Sequence, residues 1–68
     1  MKKAKKVLYL YDSLKNGEEI QMLNFCNEYK VSIPTFRRYM SLIRDFLWEK
    51  YLEQVVYDRF KKIYKIKW

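Results

Sequence analysis

The chain has 68 residues, with 15 Lys or Arg against 8 Asp or Glu, one Cys, no His, and half of its residues hydrophobic. That length suits one domain and that apolar content excludes disorder, while one Cys without His rules out a disulfide framework and leaves zinc too few ligands. The net charge of +7 points to a polyanion as partner: DNA, RNA or an acidic membrane surface.

The charge is unevenly spread. Lys2, Lys3, Lys5 and Lys6 open the chain with no acid among them. Arg59, Lys61, Lys62, Lys65 and Lys67 close it against Asp58 alone. Between these ends acids and bases nearly balance, with Arg37, Arg38 and Arg44 as a third basic group. The start MKKAKK-VLYLY looks like a signal peptide, but the apolar run stops at Asp12 and no small-residue cleavage site follows. No run approaches the roughly 18 apolar residues of a membrane span. A lone thiol suits a reducing compartment, so a cytoplasmic location is expected.

In chain order, Val7, Leu8, Leu10, Tyr11 and Leu14 fall at helical spacings and predict a first helix over about 4–16, ended by Asn16-Gly17 because Gly accepts the left-handed cap. Met22, Phe25, Cys26 and Tyr29 follow at i, i+3, i+4 and i+7, predicting a second helix over about 21–29 with Gln21 as a weak N-cap. Lys30-Val31-Ser32 breaks the pattern. Ser32 can cap a third helix, and Pro34 fits its first turn, where a missing N–H costs nothing. Phe36, Met40, Ile43 and Leu47 then recur on one stripe, flanked by Tyr39 and Phe46, predicting helix three over about 33–50. The segment 53–57 is rich in strand formers and 63–67 alternates. These read as a hairpin with a basic tip, with Tyr64, Ile66 and Trp68 facing the helices. A lone hairpin is unstable, so this one must pack on the helices. The fold class expected is therefore mainly α with a small β-hairpin: a single winged helix-turn-helix domain spanning 1–68.

From Ile20 the sequence IQMLNFCNEYKVSIPTFRRYMSLI resembles the DNA-binding segment of DeoR-type and WYL-domain bacterial regulators. Their pattern runs roughly V-S-L-x-x-L-A-x-x-F-x-V-S-x-x-T-I-R-R-D-L. Ile20, Met22, Phe25, Cys26, Tyr29, Val31, Ser32, Thr35, Phe36, Arg37 and Arg38 fall on it in register. The tail QVVYDRFKKIYKIKW is similar to the wing of WYL-type regulators. The resemblance implies a transcription regulator that reads double-stranded DNA. Three departures stand out. Lys30 occupies a position where members often carry Gly, which a positive backbone angle favours. Tyr39 replaces the Asp after the paired arginines. The sensor domain that follows the wing in such regulators does not follow here, so the chain reads as a self-standing miniature or a piece of a longer regulator.

An α-helix fits the major groove of B-DNA, and in this motif its N-terminal part reaches the base edges. At about 100° per residue, Arg37, Ser41 and Arg44 share one stripe of helix three, away from the apolar stripe. Arg37 is the candidate for bidentate guanine contact. Arg38, a quarter-turn round, is better placed for phosphate, as are Ser32, Ile33 and Thr35 at the helix start. Arg59, Lys61 and Lys62 at the hairpin tip can reach the minor groove or the backbone. Against each stands a plainer use: arginines on a solvated face, lysines that keep an edge strand from aggregating. The lysines 2, 3, 5 and 6 read either as a basic arm that follows phosphates or as a frayed terminus. Cys26 reads as a small buried hydrophobe, and Trp48 as packing or a dimer contact.

With no His, no nucleophile–base pair and no phosphate-cradling Gly loop, catalysis has no support, and no cofactor, metal or small-molecule ligand is indicated. A homodimer is possible, since this motif often pairs on palindromic sites. The rival function is a winged-helix module that docks on protein, which exposed Trp48 and Phe60 would favour. RNA or single-strand binding through the tyrosines is weaker, because one hairpin builds no stacking platform. A membrane-surface role for residues 1–14 is weaker still, because Asp12 and the tyrosines make a poor amphipathic anchor.

Overall fold

A computed structural model describes residues 2–67. Five elements follow in order: α1 (Lys3–Lys15), α2 (Met22–Tyr29), α3 (Ile33–Tyr51), β1 (Gln54–Asp58) and β2 (Ile63–Lys67). The strands pair antiparallel as a hairpin, so the topology is winged-helix-like. Trp68, expected to face the helices, lies outside the described residues.

Helix α1 begins at Lys3, a residue earlier than its apolar spacing predicts, with Lys2 extended at the N-cap. Ala and Lys are strong helix formers, so Lys3, Lys5 and Lys6 stand on the helix and form no separate arm. Its C-terminus closes as expected: Gly17 has φ 81°, and the amides of Gly17 and Glu18 donate to the carbonyls of Leu14 and Ser13, each at 3.0 Å. This is the paired-bond cap that a left-handed glycine allows.

Helix α2 has Gln21 at its N-cap with no side-chain hydrogen bond, in line with glutamine's poor capping chemistry. It ends at Lys30, which adopts φ 56° while Val31 N–H donates to Cys26 at 3.0 Å. The position that favours Gly is thus left-handed here with a lysine in it. Helix α3 starts on the Ser32 cap with Pro34 in its first turn. It ends at a second left-handed residue, Leu52 with φ 55°, one residue later than predicted. Glu53 N–H then donates to the Leu47 carbonyl at 3.2 Å, and the Glu53 carboxylate meets Lys15 Nζ at 2.7 Å. The Glu53 amide thus caps α3 and its carboxylate ties that end to α1, which is why β1 starts at Gln54 and not at 53.

In the hairpin, Val55 faces Ile66 and Tyr57 faces Tyr64 across the strands. Val55 and Ile66 are buried. The free side of Tyr64 pairs with Ile20: Ile20 N–H donates to Tyr64 O at 2.8 Å, and Tyr64 N–H to Ile20 O at 2.7 Å. The segment between α1 and α2 therefore fastens the wing to the helices through an isolated one-residue bridge.

The core sits where the three helices and the inner face of the hairpin meet. Phe36, Leu10, Leu14 and Leu47 are fully enclosed. The Phe36 ring lies 5.6 Å from Phe25 and 5.7 Å from Tyr64, so one ring joins α2, α3 and β2. Tyr39 is buried with the core, so a packing residue stands where DeoR- and WYL-type regulators carry Asp. Cys26 is buried too, and burial raises its thiol pKa, which suppresses the reactive thiolate. An apolar groove of about 330 Å³, lined by Val7, Leu8, Tyr11, Leu42, Ile43 and Phe46, runs between α1 and α3. Among the described residues no helix is long and apolar enough to cross a membrane.

Candidate nucleic-acid interface

The buried stripe Phe36, Met40, Ile43 and Leu47 fixes which way α3 faces. Arg37, Ser41 and Arg44 are exposed, and together with Met40 and Tyr64 they line one shallow depression of about 200 Å³. Arg38 is exposed but lies outside that depression, as its angle round the helix requires. Among the described residues no α3 arginine forms an ion pair; the two ion pairs present are Lys15–Glu53 and Lys61–Glu19. The guanidinium groups therefore keep their donors for an external acceptor.

At the start of α3, Ser32 Oγ accepts from Thr35 N–H at 3.3 Å and donates to Thr35 Oγ1 at 2.8 Å. The Ser32 hydroxyl is therefore committed within the cap, while Thr35, as the acceptor, keeps its own hydroxyl hydrogen free. Pro34 has no N–H. The donors left at this helix end are the Ile33 amide and the Thr35 hydroxyl, fewer than the bare motif promises.

The turn before α3 brings together two cations, Lys6, read from the sequence as part of a basic arm, and Lys30, which was not expected to contact DNA. Lys6 Nζ reaches the Lys30 carbonyl at 3.5 Å, which brings the start of α1 beside the α2–α3 turn. Lys30, on its left-handed backbone, is exposed. The resemblance had marked Lys30 only as a conformational misfit.

Arg59, Phe60, Lys61 and Lys62 form the loop between the paired ends Asp58 and Ile63. All four are exposed. Asp58 Oδ1 accepts from the amides of Phe60 at 2.9 Å and Lys61 at 3.1 Å. The bond from Lys61 N–H, with the one from Phe60, holds the Asp58 carboxyl below its ordinary range. Lys62 turns the chain back with φ 57°. Lys61 Nζ lies 3.8 Å from Glu19, a loose and exposed pair of little energetic weight. On the strand, Lys65 is half-buried and Lys67 exposed.

Tyr64 is the other omission. Its ring packs on Phe36 and on Tyr57 at 4.8 Å while also lining the arginine depression. Its alternation toward the helices was readable; its reach to the α3 surface was not, because that depends on how hairpin and helix dock. Trp48, on the same side of α3, is half-exposed and lines a second depression with Arg44, Gln54 and Val55.

These elements define a small winged-helix-like domain whose third helix and wing both present uncovered basic side chains. No family model, curated protein or solved structure matches this chain.

Proposed function

We propose that this domain binds double-stranded DNA with sequence preference, as a small transcriptional regulator of the DeoR/WYL-like kind. In this reading α3 enters the major groove and the wing contacts the backbone or minor groove. The observation that supports it most is the unpaired stripe Arg37, Ser41 and Arg44, held outward by a fully apolar stripe on the same helix. Arg37 reads a guanine edge in bidentate fashion. Arg38, Thr35 and the Ile33 amide hold phosphate, and Arg59, Lys61 and Lys62 hold the duplex from the wing. Ser32 serves as the cap that fixes the start of the reading helix.

Selection from a random duplex library at two salt concentrations tests this directly. A consensus is expected, and the spacing of its half-sites reports whether two copies bind together. Arg37→Ala, an exposed truncation, should relax one guanine position about tenfold. No retained duplex at low salt, or an unchanged consensus for Arg37→Ala, rejects the reading.

A second reading is a winged-helix module that docks on protein. Its support is the exposure of Trp48, at 50%, and of Phe60, at 99%. It predicts capture of a partner that is insensitive to salt, with no duplex retained.

A further inference from the structure

We infer that Phe60 is a stacking wedge that enters a base step in the minor groove, so that the wing kinks the duplex as well as holding it. This rests on the DNA-binding reading above. The ring is 99% exposed, so it contributes nothing to the core and covers no neighbour. A lone aromatic ring left in water at the turn of the hairpin is an unusual use of a large apolar group. Its surroundings say what it meets. Arg59, Lys61 and Lys62 flank it in a four-residue loop, a concentration of cations that draws the tip onto phosphate. Apolar wedges set among such cations are the means by which minor-groove proteins unstack a step and bend DNA.

The backbone beneath the ring is ordered. Asp58 Oδ1 accepts both the Phe60 and the Lys61 amides, and Lys62 takes a left-handed backbone to close the loop. An ordered tip loses less backbone freedom on insertion. The two other hosts for such a ring fit less well. A protein pocket would have to be acidic all round. One ring buries far less apolar surface than an acyl chain, so even beside three cations it makes only a marginal membrane anchor.

The test uses the full chain, the duplex selected by the wild type, and Phe60→Ala. The substitution removes a ring that touches nothing and keeps the amide bonded to Asp58, so folding is preserved. 2-Aminopurine is walked along each position of the duplex. Wild type should raise its fluorescence at one step and bend the duplex in a circular-permutation assay. Phe60→Ala should bind about tenfold more weakly, lose both signals, and keep the salt slope, since no charge is removed. Equal affinity, with neither signal differing between the two proteins, overturns the wedge and leaves the DNA reading standing. Failure of wild type to bind any duplex overturns both. Phe60-dependent sedimentation with phosphatidylserine vesicles, without an effect on duplex, also overturns the wedge and assigns the tip to membranes.

Discussion

Lys30 carries a conflict between backbone and side chain that can be measured. Its φ of 56° is in the left-handed region, where a Cβ crowds the following carbonyl at a cost of about 1–2 kcal/mol. Glycine removes that crowding, although it also enlarges the freedom of the unfolded chain. Lys30→Gly should therefore stabilise the domain by about 1 kcal/mol, raising Tm by roughly 4–8 °C for a domain of this size. An unchanged or lower Tm in a thermal melt would show that Lys30 relieves its strain by a contact worth as much. If Lys30 also touches phosphate at the α2–α3 turn, the more stable variant binds DNA less tightly, which would explain a lysine in glycine's place. At this scale the sequence was informative wherever a residue type answers to one local demand. Gly17 and Ser32 cap as expected, and Lys30 stands out because glycine suits its position. It was silent where two side chains answer to each other. The mutual bond of Ser32 and Thr35 leaves one hydroxyl free where two were expected, and nothing in their spacing reveals which.

The wing draws its shape from Asp58, and that makes its tip responsive to acid. The carboxylate accepts from two tip amides, and these bonds favour its charged form, so its pKa falls below the ordinary 3.8. A group depressed in the folded state stabilises that state above its unfolded pKa, and the contribution disappears as pH falls through the lower folded value. The amide resonances of Phe60 and Lys61 should therefore titrate together, with a midpoint below 3.8. A midpoint at or above that value, or amides that do not move, would show that the tip is ordered by something else. The helices were legible because each presents a repeated apolar stripe, and their ends fell within one residue of expectation. The hairpin was legible by its alternation, but β1 slipped by one because Glu53 is drawn back to Lys15 across the fold. The Ile20–Tyr64 bridge was not legible at all. A single paired residue leaves no period, and its existence depends on where β2 comes to lie.

For the whole molecule the decisive quantity is how the net charge of +7 is spent. Lys15 is held by Glu53 at 2.7 Å and lies over Tyr51 at 4.0 Å, so it fastens α1 to the end of α3 and is lost to any partner. Arg37, Arg38 and Arg44 on α3, Arg59 and Lys62 on the wing, and Lys6 and Lys30 at the turn are free of carboxylates among the described residues. Lys61 is shared with Glu19 only loosely. If about six of these cations displace counterions from phosphate, log affinity should fall against log salt with a slope near −5, a loss of about 1000-fold between 50 and 200 mM. Arg59→Ala should flatten the slope by about one without altering the preferred sequence, whereas Arg37→Ala should alter the preference. The two variants thus separate holding from reading. A slope near zero would remove DNA as the partner, because duplex phosphate cannot be bound by this surface without releasing ions. It would leave the exposed rings of Trp48 and Phe60 as the working surface of a protein-docking module, the one alternative that uses the same fold with its charges as bystanders.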